Sequence, residues 1–141
     1  MALLAVPLIA ACVGSARNAT DYTQKAVATT EHVRSSVRTV QLAIDAADGS
    51  KAFPTYLARV ISQSEDDASA ALNGFESIQP PGDDSDQLRD EVKELSSDAI
   101  DLLATARIAI RRNDIDALTA LRADIQSAGD QLEQFGQDHH A

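Results

Sequence analysis

Apolar and small residues recur at alternating steps of four and three along most of this 141-residue chain, and this rhythm strongly constrains its fold. Such spacing is typical of a helix that buries one narrow face. The repeating positions are Ala26, Thr30, Val33, Val37, Val40, Ile44 and Ala47, then Leu57, Ile61, Ser64, Ala68, Ala71, Phe75 and Ile78, then Leu88, Val92, Leu95, Ala99, Leu102, Ala106 and Ala109, and finally Leu118, Leu121, Ile125, Ala128, Leu132 and Phe135. Four such segments predict an all-α protein.

Three breaks separate the segments: "DGS" after Ala47, "QPPGDDSD" after Ile78 and "RRND" after Ile110. Consecutive prolines end a helix because they lack an N–H and restrict the preceding residue. Pro54 suits a first helical turn, and Asp114 suits an N-cap. We therefore predict helices over residues 18–48, 53–79, 85–112 and 114–136.

The breaks between the predicted helices are short, so neighbouring helices should run in opposite directions. The expected architecture is an antiparallel, up-down four-helix bundle. Two alternatives stay open, because a heptad pattern does not encode the number of helices that share it: a three-helix bundle with an appended hairpin, and a pair of hairpins that dimerise.

Composition supports one helical domain, over residues 20–136, followed by a flexible tail at 137–141. Hydrophobic residues make up 44% of the chain and aromatic residues only 4%, so the core should be aliphatic and rich in alanine. Acidic residues outnumber basic ones by 22 to 12, which gives a net charge of −10. That charge repels phosphate backbones, so we expect no nucleic-acid partner.

The N-terminus carries an uncharged apolar segment, too short for the roughly 20 residues that a membrane-spanning helix needs. Its length suits the apolar region of a signal peptide. It ends in Ile9, Ala10, Ala11 and Cys12, which resemble the lipobox of bacterial lipoproteins. The resemblance implies that residues 1–11 are a signal peptide cleaved before Cys12, whose thiol and amino group are acylated. Residues 12–19 would then be the lipidated cysteine and a short linker.

The pattern of the whole chain is similar to small lipid-anchored helical proteins of high-GC Gram-positive bacteria. This resemblance implies an extracytoplasmic protein that is held at the cell membrane through a lipid on Cys12. The first basic residue is Arg17, whereas a signal peptide opens with a basic region, and this keeps an alternative open. In that alternative the apolar segment packs on the domain and Cys12 is a small buried hydrophobe.

Motifs for known chemistry are missing from the sequence. A di-iron bundle needs Glu-x-x-His, a c-type haem needs Cys-x-x-Cys-His, and a serine hydrolase elbow needs Gly-x-Ser-x-Gly, none of which occurs. The acidic runs at 65–67 and 83–86 lack the spacing of a calcium loop. We therefore predict a protein that is not an enzyme, with no catalytic residues, no metal site and no cofactor.

One layer of the predicted bundle consists of small side chains, because antiparallel packing would bring small residues of all four helices together. The layer either lets the helices approach closely or encloses a small pocket. The residues of this candidate pocket are Thr30, His32, Val33, Ser64, Ala68, Ser96, Ala99 and Ala128.

The leading functional hypothesis is a non-enzymatic lipoprotein of the cell envelope that binds an unidentified protein or small molecule. Two alternatives remain: an extracytoplasmic sensory or small-ligand-binding bundle that uses the small-residue layer, and a cytosolic helical protein with an unprocessed apolar N-terminus.

Overall fold

The structure, a computed structural model, describes residues 16–49 and 53–140, so the predicted signal peptide and Cys12 lie outside the described residues. The described part of the chain is helical and contains no strand. Its elements are α1 (Ala19–Asp48), α2 (Pro54–Glu76), α3 (Asp84–Arg111), α4 (Ile115–Ala120) and α5 (Arg122–His139). The all-α prediction is confirmed.

Local signals in the sequence explain where α1 and α2 begin. Asn18 caps α1, and its side-chain oxygen accepts a hydrogen bond from the backbone N–H of Asp21 at 2.9 Å. The backbone N–H of Arg17 in turn donates to the Asp21 carboxylate, and this bond, together with Lys25, lowers the pKa of Asp21. Helix α2 starts at Pro54, as predicted, because a proline at the first position sacrifices no hydrogen bond.

The second helix is shorter than predicted and ends at Glu76 rather than at residue 79. The hydroxyl of Ser77 donates to the carbonyl of Gly74, and the N–H of Ile78 donates to the carbonyl of Phe75. These tighter bonds close the last turn ahead of Pro80 and Pro81, which could not have continued the helix.

The predicted fourth helix is divided in two at Leu121. The N–H of Leu121 donates to the carbonyl of Leu118, three residues back, and the regular spacing resumes when the N–H of Ile125 donates to Leu121. This tight turn lets Leu118 and Ile125 both become fully buried in the same cluster. Helix α5 then runs to His139, so residues 137–139, which we predicted to lie in a tail, are helical.

The corner between α3 and α4 follows the "RRND" signal. Asn113 has a φ of 55°, a left-handed conformation that asparagine tolerates better than most residues. Asp114 then caps α4, as predicted, because its carboxylate accepts a hydrogen bond from the backbone N–H of Ala117 at 2.9 Å.

Contacts at the two ends of the bundle define the helix directions. Tyr22 near the start of α1, Phe75 at the end of α2, Val92 in the first half of α3 and Phe135 near the end of α5 belong to one buried cluster. At the opposite end, Arg122 at the start of α5 contacts the carboxylates at the end of α1. Successive long helices therefore run in alternating directions.

Helices α1 and α3 hold the bundle together. Each packs against every other helix, whereas α2 and α5 make no contact with each other in the described part of the chain. The main core is aliphatic, as the composition predicts, with Val33, Val37, Ile61, Leu103 and Ile125 among its buried members. None of the helices in residues 16–49 and 53–140 is long and apolar enough to cross a membrane.

At alternate positions along α3, the buried residue is the one directly after the residue that we predicted. Ser96, Leu103 and Ile110 are buried, whereas Leu95 and Leu102, which we predicted on the seam, are half-buried. Both faces keep the steps of four and three, so the pattern alone could not select between them.

Candidate functional site

An open groove follows the outer surface between α1 and α2. Its volume is about 670 Å³, within the range of about 300–1,000 Å³ that is usual for ligand sites. The lining residues are His32, Ser35, Ser36 and Thr39 from α1, and Tyr56, Arg59, Val60, Gln63, Ser64, Asp67, Ala70 and Ala71 from α2. We call this surface the α1/α2 groove.

Three of the largest polar side chains in the α1/α2 groove are unpaired. His32, Tyr56 and Arg59 are exposed, and among the described residues no hydrogen bond or ion pair is found for their side chains. Asp67, by contrast, already accepts a hydrogen bond from the amide of Gln63 at 2.9 Å. The groove thus presents an imidazole, a phenol and a guanidinium that can bind an external group without first breaking an internal contact.

The groove continues beyond His32 toward the end of α2. A second depression of about 390 Å³ shares His32, Ala70 and Ala71 with the first and extends to Gly74 and Ile78. A Cβ atom added at Gly74 would meet no atom within 4 Å, so the surface there is open. The two depressions therefore form one channel along most of the α1–α2 hairpin.

The residues of the predicted pocket do not share one pocket. Val33, Ala68 and Ala99 belong to the main core cluster, with Ala128 packed against it. Thr30 and Ser96 are fully buried. His32 is exposed, because it lies one position off the buried face of α1. Only His32 and Ser64 of the eight line the α1/α2 groove, while Ala128 lines a separate groove between α3 and α5.

Among the described residues, the hydroxyl groups of Tyr22 and Ser96 are buried without a hydrogen-bond partner. Thr30, which is equally buried, donates its hydroxyl to the carbonyl of Val27 at 3.0 Å. Burial raises the pKa of Tyr22, whose ring packs against Phe75 with the centroids 5.1 Å apart. An unpaired buried hydroxyl costs about 1–3 kcal/mol, so both groups reduce stability.

The opposite side of α1 is closed by ion pairs to α5. Arg38 contacts Asp130 and Glu133, each at 3.1 Å, and Arg34 contacts Glu133 at 3.0 Å. Near the end of α1, Arg122 contacts Asp45 at 3.1 Å and Asp48 at 3.0 Å. These contacts follow the second half of α1, from Arg34 to Asp48. Nearer the start of α1, a depression of about 450 Å³ lies between α1 and the end of α5 and is lined by Thr23, Val27, Glu31 and His140, among others.

Sequence reasoning missed Tyr56 and Arg59. Both lie off the heptad seam, so the pattern treated them as ordinary surface residues. One signal was available. Tyr56 is one of only two tyrosines in the chain, and it directly precedes Leu57, which already supplies the seam residue in the first turn of α2. Their place in the same groove as His32 follows from the helix register, which the sequence does not state.

The described residues contain no group of three or more His, Cys, Asp or Glu side chains that could hold a metal ion. Within the same residues, no hydrogen bond or ion pair joins His32 to a carboxylate. Comparison of the chain with protein-family models, with curated proteins and with solved structures gives no match.

Proposed function

We propose that this protein is a non-enzymatic binding module of the cell envelope, anchored through a lipid on Cys12, and that the α1/α2 groove is its binding surface. The observation that carries the binding role is the unpaired set of His32, Tyr56 and Arg59 in one groove.

The anchoring part of the proposal rests on the lipobox-like residues ahead of the bundle. A single acyl chain holds a protein only marginally, whereas the two or three chains of a lipidated cysteine retain it stably. An acidic domain needs such an anchor, because its net charge of −10 gives it no attraction to anionic headgroups.

The distance between anchor and bundle is short. From Cys12 to the start of α1 at Ala19 the chain can span at most about 25 Å, at roughly 3.5 Å per residue. Helix α1 itself is about 45 Å long, from its 30 residues at 1.5 Å each. The groove, in the middle of this length, would stand clear of the membrane surface and be accessible to other envelope components.

Fractionation of producing cells tests the anchor. We expect the wild-type protein in the membrane fraction with an incorporated fatty-acid label, and the Cys12→Ala variant in the soluble fraction without it. Val13→Ala, one residue beyond the cleavage position, is the matched control and should behave as wild type. Equal labelling and equal membrane content of the Cys12→Ala variant would reject lipid anchoring at this residue.

A further inference from the structure

The α1/α2 groove has a chemical character that differs from the rest of the molecule. The chain carries a net charge of −10, yet the groove contains the unpaired guanidinium of Arg59 and the unpaired imidazole of His32, against the single carboxylate of Asp67. Asp67 is already hydrogen-bonded to Gln63. A negatively charged group would therefore find a free partner in this groove, since guanidinium and carboxylate form strong, often bidentate, hydrogen bonds.

Hydroxyl and amide groups supply most of the remaining polar surface. Ser35, Thr39 and Gln63 are exposed along the groove. The hydroxyl of Thr39 donates to the carbonyl of Ser35 and the amide of Gln63 donates to Asp67, so Thr39 can accept a hydrogen bond, Gln63 keeps its carbonyl oxygen and one N–H, and the Ser35 hydroxyl can donate and accept. The ring of Tyr56 lies at one end of the groove and is 63% exposed, so one face of a flat aromatic surface is free for packing. An exposed ring beside hydroxyl, amide and guanidinium groups matches a ligand that is itself rich in hydroxyls and has apolar C–H faces.

The shape of the groove argues against the common peptide-binding modes. Strand addition needs the edge of a sheet, and the described part of the chain contains no strand. A helical peptide needs a continuous floor of large apolar side chains. The larger depression offers only Val60, Ala70 and Ala71, and the large side chains of Phe75 and Ile78 line only its continuation. The channel is also long, because its continuation reaches Gly74 and Ile78 at the end of α2. An extended, unbranched polymer fits such a channel better than a compact ligand does.

From these features we infer that the α1/α2 groove binds an extended glycan that carries carboxylate groups, with Arg59 pairing a carboxylate and Tyr56 packing against a sugar ring. The inference rests on the proposed function, because an envelope location would bring the domain close to such polymers. The pairing of Arg59 uses a group that the fold itself leaves free.

Titration of the Cys12→Ala chain by NMR tests the inference without depending on the anchor. Three probes separate the contributions: a tetrasaccharide containing muramic acid, which has sugars and carboxylates, chitotetraose, which has sugars only, and tetraglutamate, which has carboxylates only. We expect the acidic tetrasaccharide to shift the amide signals of Ser35, Thr39 and Gln63, and to bind more tightly than either of the other two probes.

Two arginine variants give the matched comparison. Arg59→Ala should weaken binding of the acidic tetrasaccharide by about tenfold, the effect of losing one charge-assisted hydrogen bond. Arg111→Ala removes an equally exposed, unpaired arginine outside the groove and should leave the affinity unchanged. Thermal unfolding of both variants should match that of the parent chain.

Each contrary result overturns a stated part of the inference. Equal binding of tetraglutamate would identify an acidic peptide as the ligand, and equal binding of chitotetraose would remove the role of the carboxylate. No binding of the acidic tetrasaccharide, or equal weakening by Arg111→Ala, would reject the groove as its site. A failure of lipid anchoring, measured separately by fractionation, would leave these results unaffected.

Discussion

Helix α1 has two different sides. The second half of α1 is sealed toward α5 by ion pairs that involve Arg34, Arg38 and Arg122, and a Cβ atom added at Gly129 of α5 would lie in contact with Val37, at 3.4 Å. Toward α2 the outer surface is an open groove, and Arg34, Arg38, Asp45 and Asp48 of α1 form their ion pairs with α5 instead. One helix thus takes part in a sealed interface and in an open one.

Residues that stabilise the fold and residues that can bind a ligand therefore lie on different sides of α1. The guanidinium groups of Arg34, Arg38 and Arg122 already pair with carboxylates across the interface between α1 and α5, so they are less able to bind another molecule. On the open side, the core beneath the groove stabilises the hairpin, and the outer residues His32, Tyr56 and Arg59 contribute no internal contact. Four measurements would break or sharpen this contrast.

The largest effect is expected beneath the groove. Ile61 is fully buried in the main core, so Ile61→Ala should lower the free energy of unfolding by about 2–5 kcal/mol. Tyr56 lies on the same helix but is exposed, and Tyr56→Ala should stay within about 0.5 kcal/mol of wild type. Denaturant unfolding measures both variants, and a Tyr56→Ala loss as large as that of Ile61→Ala would mean that the groove is part of the core.

Two glycines provide a direct comparison of the sealed and open sides. Gly129→Leu should destabilise the protein by about 1–3 kcal/mol, because the new side chain must displace Val37 or Arg38. Gly74→Leu places the same side chain in open space and replaces a poor helix former, so the unfolding free energy should remain unchanged or rise by up to about 1 kcal/mol. Comparable losses in the two variants would contradict the contrast between the two sides.

Tyr22 of α1 belongs to the buried cluster that contains Phe75 of α2 and Phe135 of α5, so it packs near both neighbouring helices. Because its hydroxyl is buried without a partner, Tyr22→Phe should raise the unfolding free energy by about 1 kcal/mol. A decrease of similar size would show that the hydroxyl makes a stabilising contact.

The pH dependence of the same variant has a defined sign. Burial raises the pKa of Tyr22 above its ordinary value of 10.0, so the folded state favours the neutral phenol. Stability from this group is complete below pH 10 and is lost as the pH rises from there through the folded-state pKa. Tyr22→Phe should therefore lose less stability than wild type as the pH rises above 10, measured by denaturant unfolding at each pH.

The smallest effect concerns the charges. Arg38→Met keeps the packing of the side-chain stem but loses the ion pairs to Asp130 and Glu133, which are partly exposed. The expected loss is under about 1 kcal/mol at low salt and should disappear at 1 M salt. Arg59→Met, on the open side, should show no loss at either salt concentration. A salt-dependent loss in Arg59→Met would reveal a partner for that guanidinium within the protein.

Heptad spacing was sufficient to predict the helices and the aliphatic core, because burial of one helix face leaves a periodic record in the sequence. Val33, Ala68 and Ala99 meet in the core as expected. The pattern could not choose between Leu102 and Leu103 on α3, since both fit a seam with steps of four and three. It also could not locate the break at Leu121, which depends on how Leu118 and Ile125 fit among the other helices.

The candidate site was less predictable than the core. The sequence predicts a candidate pocket in the interior beside His32, whereas the structure places His32 on the outer surface of the hairpin. Tyr56 and Arg59 carry no periodic signal, because exposed positions are not constrained by packing. Whether they line the same groove as His32 depends on the register between α1 and α2, a property of the assembled hairpin rather than of either segment.

The place of α1 in the bundle also bears on how the chain folds. Its ion pairs with α5 join residues far apart in sequence, 74 positions for Asp48 and Arg122 and 92 for Arg38 and Asp130, whereas α2 and α3 are neighbours in sequence. Loop closure is slower for distant segments, so the local hairpins should form before α1 and α5 meet. During synthesis, the apolar face of α1 would leave the ribosome first and remain partly uncovered until the last helix emerged. A chain released early would expose the surface that favours aggregation, so completion of α5 is the step that protects the newly made protein.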